Sequence, residues 1–370
     1  MDVGVTMAFQ SAFNDLTDQQ VYQNELEVAL MAEPMGFDSV WTTEHHFTDY
    51  EMIPSPTQFL SFMAGATKRL KLGSMVIVVP WHDPYRVAAE ITLLENLSGG
   101  RMILGLGRGL ARAEFTRFRI PVEESRGRFN EHVTAVLDSL ETGTFELDGT
   151  YVKQPASPLR PRPIRSFAGR TFFAGNSPET MPLAAKLGAG MLLIPATGWD
   201  EMIKNVRAYE EFWEIDRPGQ PRPRPLAVAF TYVDKDAGRA EELARKHISN
   251  YWRSVVEHYE FAAPQRFDNV KGYEHYKSVA AAAADDTDKF VNEFVDQMIW
   301  GTPEQVIERT ADLRTKIDLG HLICHFTYSS LPHEDAKSSM KLFAEEVLPV
   351  LHTWPVEPVV STEELASARS

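Results

Sequence analysis

The chain has 370 residues, 44% of them hydrophobic and 24% charged, with a formal net charge of −15. That balance supplies a large core and argues against nucleic acid or an anionic membrane surface as a partner. One cysteine (Cys324), no apolar run near the ~20 residues that span a bilayer, and no signal-peptide pattern in MDVGVTMAFQ predict a soluble, cytoplasmic protein without disulfides.

Strand-like and helix-like patterns alternate along the whole length. VGVTMAF (3–9) predicts a first strand, and the periodic segment from Asp18 to Met35 its helix. DSVWTT (38–43) predicts a second strand, with a helix from Ser55 to Lys68. LKLGSMVIVVP (70–80) is almost continuously apolar, the mark of a strand covered on both faces. A helix from Pro84 to Leu97 follows and ends at Gly99-Gly100. RMILGLGRG (101–109) is the fourth strand, and a long helix covers Glu123 to Glu141. FELDGTYVKQP (145–155) predicts a small inserted hairpin that turns at Asp148-Gly149. TFFAG (171–175) is strand five. SPETMPLAAKLG (177–188) opens a helix with Ser177 as N-cap and Pro178 in the favoured first position. GMLLIPA (190–196) and PLAVAFTYVD (225–234) are strands six and seven, each followed by a helix. HLICHFTYS (321–329) is the eighth, and a helix from His333 to Leu351 closes the series.

Eight strand–helix units in order are what a (β/α)8 TIM barrel requires. A doubly wound open sheet uses the same units, but no Gly-rich dinucleotide fingerprint follows the first strand, which favours the barrel. Residues 261–300 are too long for a simple connection between the seventh helix and the eighth strand. With Gly272 and the alanine run 280–284 they predict a long, lid-like insertion before the eighth strand. A single barrel domain over 1–352 and an exposed C-terminal tail over 353–370 are expected.

Barrel enzymes place the active site at the C-terminal ends of the strands. Those ends carry Glu44-His45-His46, Val79-Pro80-Trp81-His82, Gly107-Arg108-Gly109, Gly175-Asn176-Ser177 and His325-Phe326. This inventory suits an aromatic, phosphorylated ligand. Arg108 between two glycines fits bidentate pairing with a phosphate, although glycines at a strand end are often plain turn residues. The amides at the start of 177–188 offer a second anion site, or simply a well-capped helix. Arg126 is a third contributor or an exposed helical arginine. Adjacent side chains on a strand point to opposite faces, so His45 and His46 do not serve one role together. No H-E-x-x-H or Cys/His cluster accompanies them, and no metal site is expected. His45 fits a general base or hydrogen-bond donor; a loop histidine with no duty is the alternative. Trp41, Phe47, Tyr50, Trp81 and Phe326 are candidates for an apolar pocket wall and equally for ordinary core.

GFDSVWTTEHHF, GSMVIVVPWHDPYRVAAEITLLENLSGGRMILGLGRGL, FFAGNSPET and WGTPEQVIERTADL resemble, in unbroken order, the bacterial luciferase-like monooxygenases. EHHF, together with MKLF near the C-terminus, is especially similar to the luciferase α-subunit branch. The resemblance implies a two-component enzyme. Reduced FMN arrives from a separate flavin reductase, reacts with O2 to form a flavin hydroperoxide, and oxygenates a small hydrophobic or heteroaromatic substrate. By position, the resemblance implies that His45 is the active-site acid/base. It likewise assigns the phosphate to Arg108, Arg126, Asn176, Ser177 and Thr180, and implies a cis peptide at Met75-Val76 against the flavin ring. A homodimer is implied too. Where the luciferase α-subunit carries a reactive cysteine this chain has Gly107, and at a carboxylate position it has Asn176. Long-aldehyde acceptors and light emission are therefore not implied. Two rivals stay open: a deazaflavin-dependent hydride-transfer enzyme on the same barrel, and a non-catalytic flavin-binding subunit, against which His45 and Arg108 argue. The reaction needs shielding from water, so the insertion is expected to close as a lid.

Overall fold

The computed structural model describes residues 1–175, 177–194, 198–263, 265 and 274–355. Eight parallel strands pair in chain order: Asp2–Met7, Ser39–Thr42, Lys71–Ser74, Met102–Gly107, Thr171–Ala174, Gly190–Leu193, Leu226–Val233 and His321–His325. The eighth returns to the first with His321 opposite Asp2. That closure makes the fold a (β/α)8 barrel, because an open sheet would keep two free edges. Both faces of each strand are covered, which is why the strands read as apolar runs. Every residue of Leu226–Val233 is buried.

Helix ends form where side chains satisfy the terminal backbone groups. Thr17 and Gln20 make a reciprocal capping box ahead of Asp18–Met31, and Thr302 with Gln305 makes another ahead of Pro303–Ile317. Ser55 and Asp83 cap Pro56–Ala66 and Pro84–Ser98, each of which opens with proline. The hairpin is present as Thr144–Asp148 against Lys153–Pro158.

The helix after strand five starts at Thr180, not at Ser177. Glu179 is its N-cap and makes no side-chain cap. The Ser177 hydroxyl is instead engaged by Arg126 and by Thr180 Oγ1 (3.1 Å), and Pro178 sits in the preceding turn. A short helix, Arg112–Phe118, stands between strand four and Ser125–Thr142, where the sequence pattern predicts no element.

The insertion begins earlier than residue 261. Strand seven leads into Ala237–His258, Glu274–Asp285 and Thr287–Asp296, then into Ile299–Gly301, which pairs with the end of strand seven. Ala237–His258 packs on Thr287–Asp296, whereas Pro303–Ile317 packs against Trp199–Asp216 and Phe343–Val347. The seventh place in the helical ring therefore belongs to Pro303–Ile317. The helix that directly follows strand seven is the first part of the excursion. Gly272 lies outside the described residues.

Trp41, a candidate for the pocket wall, fills the barrel interior instead. It is fully buried with Met75, Phe172 and Ile323, and a Cβ on its register partner Gly73 would lie 2.1 Å from the indole. Its Nε1 donates to Ser39 Oγ (2.7 Å), which draws the ring toward the N-terminal end of the strands. Phe326 also leaves the pocket and packs against Phe37 and Phe343, with ring centroids at 6.1 and 5.4 Å. Alternation along the strand sends its neighbour His325 inward. At the C-terminus, the Met1 ammonium donates to the carbonyls of Leu351 (3.0 Å) and Trp354 (2.6 Å). The rest of the expected tail, 356–370, lies outside the described residues. Among the described residues no helix is long and apolar enough to cross a membrane.

Candidate active site

The C-terminal ends of the strands open into a pocket of about 1340 Å³, counting the part open to solvent. Strand ends contribute Ala8, Thr43, His45, Met75, Val76 and Arg108, and the excursion adds Trp252, Tyr259, Phe261 and Tyr276.

Strand four delivers Arg108, which is buried, and then Gly109 in the left-handed region (φ 79°). A Cβ on Gly107 would lie 2.3 Å from Val76 Cγ2, so the cysteine that the resemblance places here does not fit this packing. Arg108, Ser177 and Thr180 line the same pocket. Arg126 does not line it but stands behind: its Nη2 donates to Ser177 Oγ, and its guanidinium lies 3.6 Å from Glu179. Asn176 lies outside the described residues. A buried guanidinium on a loop stripped of bulk by glycines, lining the same pocket as two hydroxyls, is a donor set that fits a phosphate. The Met75-Val76 peptide is cis, and both residues line the pocket.

Strand two runs out at Thr42, and the residues beyond it divide by face. His45 enters the pocket. Its Nδ1 lies 3.2 Å from Glu114 Oε1, and its Nε2 lies 3.3 Å from the Tyr259 hydroxyl and 3.8 Å from Glu51 Oε2. Glu114 also accepts from the His46 amide (2.7 Å) and faces His258 Nε2 (3.7 Å). Burial works against charge on both partners. The carboxylate nonetheless raises His45 to about 8, and the imidazoles hold Glu114 down to about 2. An ionised carboxylate only accepts, so Nδ1 carries a proton and Nε2 addresses the pocket.

His46 turns the other way. Its Nε2 lies 3.1 Å from Glu44 Oε1, His82 Nε2 lies 2.6 Å from the same oxygen, and the Val78 amide donates to Oε2 (2.7 Å). Burial opposes ionisation of Glu44, yet these bonds keep its carboxyl below the usual range. His46 and Glu44 thus brace the turn that presents His45. Phe47 is 53% exposed with φ 69° and packs on Phe118, so it is not a wall residue. The left-handed turn that follows His46 carries that side chain outward. Trp81 and Tyr50 do line the pocket.

Glu51 faces His45 from the opposite side. Thr43 Oγ1 (2.5 Å) and the Tyr251 hydroxyl (2.9 Å) both donate to it, and burial pushes its carboxyl above the ordinary range. His325 is driven down to about 3 by burial and is neutral. Sequence reasoning missed Glu51, Glu114, His258 and Tyr259. Glu51 lies in the loop already under suspicion but belongs to no motif, and Glu114 stands on the unpredicted helix. Ligand atoms of His45, Glu114 and His258 come within 4.8 Å of one another, a grouping that no linear spacing announces.

A sequence profile of the luciferase-like monooxygenases matches residues 1–317. The alkanal monooxygenase alpha chain of Photorhabdus luminescens is 25% identical over 339 residues, covering 90% of this chain and 92% of its own. That of Aliivibrio fischeri is 27% identical over 324 residues, covering 86% and 90%. Among solved structures, the monooxygenase RslO1 from Streptomyces bottropensis has a TM-score of 0.81 at 24% identity, covering 95% of this chain and 100% of its own. The oxygenating constituent of 3,6-diketocamphane monooxygenase from Pseudomonas putida, in complex with FMN, gives 0.73 at 21% identity (94% and 98%). An F420-dependent secondary alcohol dehydrogenase with an F420–acetone adduct gives 0.68 at 18% identity (95% and 98%). With the profile running from the first strand through the seventh helix of the ring, the chain belongs to the luciferase-like monooxygenase family.

Proposed function

We propose that this chain is the oxygenating component of a two-component system. It takes reduced FMN from a separate flavin reductase and uses O2 to oxygenate a small hydrophobic or heteroaromatic substrate. The observation that carries this reading is one pocket holding Arg108 with the Ser177 and Thr180 hydroxyls, and also His45 held by Glu114. Reduced FMN, when bound, supplies the electrons that activate O2. The chain's own residues do the rest. Arg108, Ser177 and Thr180 hold the phosphate, and Arg126 orients Ser177. His45 Nε2 gives or takes a proton near neutral pH. Tyr259, Phe261 and Tyr276 of the excursion exclude water. The Pseudomonas putida neighbour, complexed with FMN, supports the same group here.

Hydride transfer with a deazaflavin is the second reading, favoured by the F420-dependent neighbour. One experiment separates them: photoreduced FMN, 18O2 and a panel of aromatic compounds are incubated with the protein. A product carrying one 18O atom is expected. Oxygen-independent turnover with deazaflavin, and none with FMN, would replace the monooxygenase reading. Exposed Phe62, Leu93 and Leu97, on helices Pro56–Ala66 and Pro84–Ser98 that pack together, support a homodimer. A monomer mass by light scattering would refute it. A cytoplasmic location is supported by the one buried free cysteine, Cys324.

A further inference from the structure

A second cavity lies apart from the active-site pocket and, among the described residues, shares no lining residue with it. It measures about 820 Å³, counting the part open to solvent. Its walls come from the loop after strand one, helix Asp18–Met31 and the loop after strand eight. Phe9 (φ 53°) and Ser329 (φ 52°) take left-handed turns where those loops leave their strands. Asn14 Nδ2 ties the loops together by donating to the carbonyls of Gln10 (3.3 Å) and Ser329 (3.4 Å).

Three buried polar atoms of its lining residues have no hydrogen-bond partner: Gln10 Oε1, Glu25 Oε2 and Thr327 Oγ1. The three residues are only 4%, 6% and 8% exposed, and buried polar groups left unpaired are rare. The Gln10 amide is oriented by its contacts. Ser254 Oγ donates to the Tyr251 carbonyl (2.6 Å), so it accepts from Gln10 Nε2 (3.0 Å), and Oε1 is the end left over. Burial raises the Glu25 carboxyl to about 8, although Thr327 and the backbone of Phe9 and Ala8 pull the other way. The charges around it do not help. Glu51 adds to the rise, Asp15 lines the same cavity, and the His333 imidazole on this wall is engaged by Glu27 (2.9 Å).

All three unpartnered atoms are oxygens able to accept, so the matching group donates and carries positive charge. A primary ammonium has three N–H donors and no acceptor, and its charge lets a buried carboxyl ionise. The cavity is far larger than a bare ion. Leu16, Val21, Leu331 and Ala336 give it an apolar side that suits a short alkyl chain. We propose that this cavity is a binding site for a small organic cation, a primary alkylammonium whose N–H groups meet Gln10, Glu25 and Thr327. The site is separate from the flavin reading and stands or falls without it.

Calorimetric titration at pH 7 tests the proposal with n-butylammonium, butyltrimethylammonium and 1-butanol. The first offers charge and N–H donors, the second charge alone, and the third no charge. Butylammonium is expected to bind tighter than either of the others by roughly tenfold or more. Repeating the titration in buffers of different ionisation heat should show close to one proton released per ammonium bound. Glu25, at about 8, is mostly protonated at pH 7 before the ammonium arrives. Glu25→Gln should abolish both the preference and the proton release, whereas Gln10→Leu should weaken binding and keep the release. Equal binding of butylammonium and its trimethyl analogue by the unaltered chain overturns the proposal. So does no binding, or binding without proton release. A full preference retained in Glu25→Gln would put the amine elsewhere and overturn it too. Because the unaltered chain alone can give a refuting result, a variant that fails to fold does not shelter the idea.

Discussion

Replacing Glu114 by Gln removes the charge that sets the protonation of His45. The imidazole stands at about 8 against an ordinary 6.5, even though burial pushes it down, and Glu114 is the foremost cause of the rise. A displacement from 6.5 to about 8 corresponds to about 2 kcal/mol of preference for the charged ring. The His45 side chain is only 14% exposed, so solvent screening discounts little of that. A group whose folded pKa is raised contributes stability that is complete below its unfolded value, here 6.5, and lost as pH climbs through about 8. Seen from Glu114, held down to about 2, the same contact is present above 4.5 and lost as pH falls through about 2. It is one interaction and counts once. Glu114→Gln should therefore cost about 2 kcal/mol in urea denaturation at pH 6. The ion-pair share of that cost should have vanished by about pH 9. Titration of the His45 ring protons by NMR should move from about 8 to 6.5 or lower. A cost of equal size at both pH values, or a ring that still titrates near 8, would refute the reasoning.

Other substitutions separate binding from chemistry. Arg108→Ala should weaken FMN binding by ~10- to 100-fold, the loss of charge-assisted contacts to a phosphate; unchanged flavin fluorescence quenching would remove Arg108 from that site. His45→Ala should bind FMN as the unaltered chain does and lose ~100-fold or more in product formation. Parallel loss of binding would mean that the ring props the pocket open instead. Gly107→Ala drives a Cβ to 2.3 Å from Val76. Overpacking of that kind should cost ~1–3 kcal/mol in urea, and a neutral result would show that Val76 has room to move.

The barrel is legible in the sequence wherever local chemistry dictates it. LKLGSMVIVVP is apolar because it is buried almost throughout, yet only Lys71–Ser74 is the third barrel strand; Ile77–Val78 pairs separately with Met102–Gly107, and Val79–Trp81 is a helical turn. Ser55-Pro56, Asp83-Pro84 and Gly99 mark helix ends because an unsatisfied terminus is costly. Legibility fails where two arrangements look alike locally. Ala237–His258 and Pro303–Ile317 are both amphipathic helices, and only packing decides which one completes the ring. Arg112–Phe118 is too short to show a period. Ser177 and Pro178 carry the residue types of a helix start, yet the hydroxyl is drawn off to Arg126 and the helix waits until Thr180. Trp41 and Phe326 are aromatic residues at strand ends; which face each takes follows from register and from the space at Gly73.

The sequence by itself determined the order of strands and helices and the positions of His45 and Arg108 at strand ends. Those follow from periodicity and from neighbours a few residues away. What His45 can do was decided only in three dimensions. Glu114 comes from 69 residues along the chain and Tyr259 from 214 residues along it. Even Glu51, close in sequence, meets the ring only because Thr43 and Tyr251 hold it there. Proton affinity depends on distances of a few ångströms in a desolvated space. Barrel closure and the packing of the excursion set those distances, and no local pattern encodes them.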